Sequence, residues 1–251
     1  MQKVAIITRA YNRLEYTIRC INSVRSFAGY DNYEHIIVSQ GSTDGTVQWL
    51  DWIKQMPNNW YSKVRPFHPN ENLGDWNGMV YGAKQTDAQL LIHLDNDIEV
   101  PHPNWLNILV KLFHELNKNN SVVALLLFVD GAKTAKYNEA KPKDNRRTIT
   151  LDGRKYIWND FKRPVACFIM DRKILDNHNF LEEGVYLPGK FRKMGSVIGI
   201  INFPCIHMDG YVNEENYIQH EKYGWNCGDV KWKREMKDPS IVTIKKALLN
   251  E

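Results

Sequence analysis

The 251-residue sequence has no purely apolar run longer than the eight residues from Val122 to Val129, far short of the roughly 20 that a membrane-crossing helix needs. No membrane span is expected. Nor is there room for a secretory leader, because the strand-like run Val4 to Thr8 begins almost at once, with no charged region or apolar stretch before it. A cytoplasmic location is therefore the expectation. Cysteine is scarce: Cys20, Cys167, Cys205 and Cys227 are widely scattered and form no C-x-x-C pair. That spacing fits neither a zinc site nor a disulfide framework, so reduced thiols are expected. The charge excess is small as well, at +4, which neither requires nor excludes a nucleic-acid partner. No internal repeat or low-complexity tract is present. Hydrophobic residues make up 43% and charged residues 25%, near the average for globular proteins, which excludes a disordered or fibrous chain. A chain of this length buries a full core, and one domain over 1–251 is expected.

What is present is an alternation of short apolar runs and helical patterns. Val4 to Thr8 reads as a strand, Leu14 to Phe27 as a helix and His35 to Ser39 as a second strand, which together make a βαβ unit. The turn-rich Gly41-Ser42-Thr43-Asp44-Gly45 then leads into a helix carrying Val47, Leu50, Trp52 and Ile53; its Ser, Thr and Asp side chains suit helix capping. A short strand at Val64 to Phe67, a helix from about Trp76 to Lys84 and a buried strand from Ala88 to Leu94 follow. The rhythm continues with a helix at Asn104 to Asn117 and a strand at Ser121 to Val129. Between Gly131 and Arg163 ten Lys or Arg stand against four Asp or Glu, and this stretch reads as an exposed basic insertion. A strand at Val165 to Met170, a short helix at Arg172 to Asn177 and the run Pro204 to His207 come next. The aromatic and polar tail from Tyr211 is placed to fold over a site.

The chemistry concentrates at Asp95-Asn96-Asp97, where apolar character stops abruptly. Alternation in a strand puts residues i and i+2 on the same side, so both carboxylates are expected to face one hard divalent cation shared with phosphate oxygens. Ligands of open α/β sheets gather at the carboxyl ends of parallel strands, where this pair falls. A bare D-x-D also fits a solvated turn with a helix cap, since Asp and Asn are ordinary turn residues.

Several segments, in order, resemble family-2 glycosyltransferases of the GT-A fold. Ile6-Ile7-Thr8-Arg9-Ala10-Tyr11-Asn12-Arg13 is similar to that family's opening strand and "T-x-Y-N-R" turn, and Ile36 to Thr46 to its "I-V-D-D-G-S-T-D-G-T" segment. Asn72-Leu73-Gly74 through Ala83 resembles the "N-x-G" loop and helix, and Leu90 to Pro101 the D-x-D strand. The likeness is fullest over residues 3 to 105; farther on, Ala166 to Arg172 resembles the acceptor-side strand with its following helix, and Lys193-Met194-Gly195 the "R-K-x-G" segment. The resemblance implies a mixed, mostly parallel α/β sheet flanked by helices. A nucleotide-sugar-binding half lies at about 1–105 and an acceptor-side half at about 106–251, with the basic insertion at 131–163. It implies a metal-dependent transferase taking a sugar from a nucleotide-diphosphate donor, UDP-sugar first, with Mn²⁺ or Mg²⁺ bridging the diphosphate to the D-x-D. The donor-binding positions carried over are Thr8, Ala10, Tyr11, Asn12, Arg13, Ser39, Gln40, Gly41, Asn72, Gly74, Asp75, Asn77, Asp95 and Asn96. The metal ligands are Asp95, Asp97 and His207, an imidazole suiting Mn²⁺ better than Mg²⁺. Counting back from Lys193 puts Glu183 at the family's catalytic acid, with Glu182 beside it as an equally placed alternative; either acts as base for the acceptor hydroxyl and inverts the anomeric centre.

One departure is plain. Ser39-Gln40 stands where the family usually has an aspartate on the base, and Ser and Gln hydrogen-bond without charge. Asp44 reads better as a turn and capping residue than as a nucleotide contact. Two rivals stay open. A sugar nucleotidyltransferase would carry a Gly-rich basic loop after the first strand, where this chain has Thr8 to Arg13. A catalytically silent glycan- or nucleic-acid-binding protein would bind a donor without turnover. The acceptor is not legible: glycan, small molecule, protein and hydroxylated nucleic-acid base are all compatible with the scaffold. Arg146, Arg147, Arg154 and Lys155 are placed to hold a phosphate-bearing acceptor, although a charge run is more often a solvated face. Trp158, Trp225 and Trp232 can stack on a sugar or base, or simply anchor core and loops.

Overall fold

The computed structural model describes residues 1–56, 60–130, 146–161, 166–176, 191 and 193–208. In chain order the elements are β1 (Val4–Ala10), α1 (Leu14–Phe27), β2 (Tyr33–Ser39), α2 (Thr46–Gln55), β3 (Val64–Phe67), α3 (Gly74–Ala83), β4 (Leu90–Asp95), β5 (Ile98–Glu99), α4 (Trp105–Leu116), β6 (Val122–Asp130), β7 (Arg147–Leu151), β8 (Arg154–Asp160), β9 (Cys167–Asp171), α5 (Lys173–Asp176) and β10 (Ser196–His207). The strands make one mixed sheet in the order β3-β2-β1-β4-β9-β6-β10-β8-β7, with β5 paired to β10. β3, β2, β1 and β4 are mutually parallel. β9 runs antiparallel between β4 and β6, while β10 is parallel to β6.

Strand alternation divides the core. Val4 and Ile6 of β1 and Leu90, Ile92 and Leu94 of β4 join Tyr16, Cys20 and Val24 of α1 and Trp105, Leu106 and Leu109 of α4. Ala5, Ile7, Ile36, Val38 and Leu91 face the other way, onto Met79 and Ala83 of α3. The α3 helix lies unusually close to the sheet because Gly82 has no side chain; a Cβ there would stand 2.5 Å from Ile7 Cγ2, well inside van der Waals contact. Helix α1 presents Leu14, Ile18 and Ile21, spaced four and three apart, to Trp49, Leu50 and Ile53 of α2.

Of the segment 131–163, residues 146–161 are described. The stretch read as an exposed insertion contributes the β7–β8 hairpin here, with β8 pairing β10 and Tyr156, Asn159 and Phe161 buried. Two of its described arginines are partnered. The Arg147 guanidinium lies 4.0 Å from the Trp158 ring centroid and bonds Asp160, and Arg154 lies over Tyr156. The basic count in the sequence hid this hairpin: Arg147 and Arg154 lie on the same face as Trp158 and Tyr156 and cover their rings. Cys20, Cys167 and Cys205 are buried and not in disulfides, and Cys227 lies outside the described residues. Among the described residues no helix is long and apolar enough to cross a membrane.

Glu34, 7% exposed, is the main charge on the β2 face toward α3. It accepts hydrogen bonds from Arg65 and from the Thr86 hydroxyl, and Lys3 Nζ is 2.8 Å away. Burial pushes its carboxyl up, but Lys3, Thr86 and Arg65 more than reverse this, so it ionises below the ordinary carboxylate range. A depressed carboxyl stabilises the fold above its unfolded pKa, and that contribution is lost as pH falls through the folded one. Glu34→Gln is therefore expected to cost about 1–3 kcal/mol near neutral pH, as for a charged hydrogen bond. Urea titrations should show the deficit shrinking below about pH 4; a deficit independent of pH would show that the ionised carboxylate is not what stabilises this face.

Candidate active site

The site is built where the parallel strands end. β1 has β2 on one side and β4 on the other, so the chain switches direction across β1 and opens a crevice at the carboxyl ends. The registers set Ala10 beside Ser39 and Arg9 beside Asp95.

The turn after β1 is strained. Asn12 and Arg13 both have positive φ, 56° and 63°, a conformation uncommon outside glycine and especially so for Arg. The loop after β2 holds it there. Asn12 N–H donates to Ser42 Oγ at 2.9 Å, and Asn12 Oδ1 accepts from Thr43 N–H at 2.7 Å. Asp44 accepts from Leu14 N–H at 2.8 Å with one oxygen, and from Thr46 N–H and hydroxyl with the other. A single carboxylate thus caps the starts of both α1 and α2, the role the sequence favoured for it.

Three of the expected donor-binding side chains are buried. Thr8 is fully buried and its hydroxyl is 2.9 Å from His35 Nε2. Ser39, fully buried, donates to Ser42 Oγ at 3.0 Å, and Gln40, 3% exposed, accepts from Leu73 N–H at 3.1 Å. These side chains tie loops together, closed off from the crevice. Burial is the reason the aspartate expected at Ser39-Gln40 is dispensable here: neutral polar groups suffice to join the loops, and an ion at such depth costs several kcal/mol. Ala10 is likewise buried, whereas Tyr11 is half exposed at the mouth. Gly41, at φ 68°, donates to Pro69 O at 3.1 Å. Asn72 accepts from Gly74 N–H at 2.9 Å, fixing the start of α3, within which Asp75 and Asn77 lie.

The D-x-D is not a continuous strand. β4 stops at Asp95, a turn takes Asn96 and Asp97, and β5 begins at Ile98. The expectation of two carboxylates on one strand face therefore fails. Asp95 accepts from Arg9 Nη2 and lies 2.9 Å from His93 Nε2, on the α3 side of the sheet. Asn96 points inward, its Nδ2 donating to Thr17 Oγ1 at 3.1 Å. Asp97 Oδ2 accepts from Arg13 Nη1 at 2.9 Å. Its Oδ1 is buried, makes no hydrogen bond and stands 3.9 Å from Nε2 of His207, itself 2% exposed. Pairing of Ile98 with His207 and donation from Met208 N–H to Asp97 O at 2.7 Å hold that geometry. Burial pushes the Asp95 carboxyl up, while Arg9, His93 and His207 hold it well below the usual carboxylate range.

Among the described residues no three His, Cys, Asp or Glu side chains cluster to hold a metal. The ligand set expected as Asp95, Asp97 and His207 separates into an Asp97–His207 pair and an Asp95 already matched by Arg9. The pair suits a divalent cation as two protein ligands, with other oxygens completing the shell. Glu182 and Glu183 lie outside the described residues, as do Trp225 and Trp232.

Sequence reasoning missed Arg9 and His93. His93 was within reach, since it precedes Asp95 by two and shares its face of β4. Arg9 needed the β1–β4 pairing, which no local signal provides.

The sheet order, the crevice and similar solved folds agree on a class, the GT-A glycosyltransferase domain. The glycosyl transferase family 2 model matches residues 5–178, more than half the chain, and the chain belongs to that family. Curated relatives are an uncharacterized glycosyltransferase of Haemophilus influenzae, 27% identical over 122 residues, and one of Rickettsia bellii, 29% identical over 115 residues. These alignments cover 49% and 46% of this chain but only 35% and 16% of those proteins. Similar solved folds include a mannosyltransferase from Pyrobaculum calidifontis in complex with GDP-Man and Mn²⁺, with TM-score 0.61, 13% identity, and coverage of 99% of this chain and 74% of that one. Another is GalNAc-T7 with UDP, GalNAc and Mn²⁺, with TM-score 0.58, 14% identity, and coverage of 82% and 43%.

Asp44→Ala removes the acceptor shared by two helix starts. The expected loss is about 1–2 kcal/mol, the upper range for an N-terminal cap, read as a lowered urea midpoint; an unchanged midpoint would refute the capping role.

Proposed function

We propose that this chain moves a sugar from a nucleotide-diphosphate donor to an acceptor hydroxyl, using a divalent cation held by Asp97 and His207. The observation that carries this is the buried, hydrogen-bond-free Asp97 Oδ1 opposite His207 Nε2 at the switch-point crevice of a family-2 domain. A buried carboxylate oxygen left without a partner costs about 1–3 kcal/mol or more, and a cation there removes that cost. Such a cation, Mn²⁺ in preference to Mg²⁺ given the imidazole, would neutralise the leaving diphosphate. The bound complexes named for the two similar folds support this choice.

The chain's own residues do the rest. Tyr11, half exposed beside the strained turn, offers its ring as a stacking face for the nucleobase. Arg13, fixed by Asp97 and packed 5.5 Å from the Tyr16 ring centroid, keeps positive charge at the crevice floor. Asp95, matched by Arg9, offers an ionised acceptor to the donor's hydroxyls. Glu183, or Glu182 beside it, is the proposed base for the acceptor hydroxyl, giving inversion. UDP-sugar is the first donor to try, followed by GDP-sugar.

The decisive experiment is calorimetric binding and slow hydrolysis of UDP-, GDP-, dTDP- and CDP-sugars with Mn²⁺, Mg²⁺ or EDTA. One donor is expected to bind only with metal, and Asp97→Asn to abolish that binding while leaving the fold intact by circular dichroism. Binding of no donor by the wild type would overturn the transferase reading. Tyr11→Ala should weaken the same donor by about 1–3 kcal/mol, the range for one base–aromatic stack; equal affinity would remove Tyr11 from the site.

A further inference from the structure

His93 is a histidine inside a ring cluster with one nitrogen engaged. Its ring centroid lies 5.0 Å from Phe168, its cross-strand partner on β9, at an interplanar angle of 19°. Trp76 of α3 lies 6.1 Å away at 28°, and Phe191 packs 5.8 Å from Trp76. With these neighbours the imidazole has little freedom to turn. Its Nε2 is 2.9 Å from Asp95 Oδ1 and 3.4 Å from Arg9 Nη2, while its Nδ1 is buried and makes no hydrogen bond.

These contacts fix the tautomer. An ionised carboxylate only accepts, so the proton of the Asp95 contact must sit on His93 Nε2. Arg9 is also a donor to Asp95 Oδ1, so its approach to His93 reflects two donors converging on one oxygen. Nδ1 then carries only a lone pair, which costs less when buried and unpartnered than a stranded N–H would. Asp95 is gripped on one oxygen from two directions, which limits rotation of the carboxylate.

We propose that His93 is a positioning residue: from inside the Trp76–Phe168–Phe191 cluster its Nε2–H sets the Asp95 carboxylate toward the donor. This rests on the transferase reading for its consequence, but not for its geometry. Nothing in the reaction requires His93 to touch substrate; it acts through Asp95, as partners of ligand carboxylates commonly do.

Two substitutions separate the hydrogen bond from the packing. His93→Phe keeps a ring in the cluster and removes the donor. His93→Gln gives up the ring but places an amide N–H at similar reach. In the metal-free protein, long-range ¹H–¹⁵N NMR should find a proton on His93 Nε2. The Asp95 carboxyl ¹³C resonance should move in H93F and return toward the wild-type position in H93Q. With the donor and metal chosen by the binding panel, H93F should lose about 10–100-fold in kcat, the range for such outer partners, with a thermal midpoint near that of the wild type. H93Q should keep most of the activity. An Nδ1–H tautomer, an unmoved Asp95 resonance in H93F, wild-type turnover by H93F, or equal losses in both variants would each overturn the proposal. If the wild type turns over no donor, the transferase reading falls, and the two NMR measurements still decide whether His93 sets Asp95.

Discussion

The arrangement depends on charge compensation at the end of β4. Asp95 and Asp97 have side chains 23% and 12% exposed, and each meets an arginine from β1 or its turn: Arg9 for Asp95 and Arg13 for Asp97. Taking a carboxylate that far out of water costs several kcal/mol unless it is paired and hydrogen-bonded. Both pairings exist only because β1 and β4 are parallel neighbours in the register that sets Arg9 beside Asp95. Shifting that register by one residue would turn Arg9 and Asp95 to opposite faces and break their ion pair. The crevice end of the sheet and its folding register are thus specified by the same ion pairs.

The cost of bringing Arg13 to Asp97 is carried by the backbone. Two successive left-handed residues, Asn12 and Arg13, let the chain leave β1 and enter α1 with the Arg13 guanidinium at the crevice floor. Each such residue is worth on the order of 1–3 kcal/mol of strain. The loop after β2 offsets it through Ser42, Thr43 and Asp44, which bind the turn and cap the helix beyond it. Ser39 and Gln40 extend this brace to the loop before α3. Read this way, the stretch from Ser39 to Asp44 supports the site more than it lines it.

The fold was legible where local pattern and packing say the same thing. The βαβ opening, the capping role of Asp44 and the stop of apolar character at Asp95 follow from period and turn chemistry, and the model match to residues 5–178 agrees with the motifs. What was not legible depends on three-dimensional neighbours. Charge and motif alone do not reveal that Ser39 and Gln40 are buried and hydrogen-bonded to neighbouring loops. The D-x-D spacing suggested one ligand face, but the two-residue turn between β4 and β5 separates its carboxylates. The basic stretch before Arg163 looked like a loop because Lys and Arg dominate its count, while Tyr156 and Phe161 of its described part are buried in the core.

The same pairings constrain how a donor can bind under the proposed reading. With Arg9 on Asp95 and Arg13 on Asp97, the crevice floor carries no net excess of negative charge, so it attracts a free divalent cation only weakly. A nucleoside diphosphate alone would meet arginines whose charge is already matched. A cation and a diphosphate together are close to neutral, and they supply what each lacks: oxygens to complete the shell begun by Asp97 and His207, and a positive charge for the phosphates. Entering as a pair also avoids stranding either ion in a partly buried site, where an unmatched charge is most expensive. The geometry therefore favours a donor that arrives with its metal over a metal centre that waits for its donor.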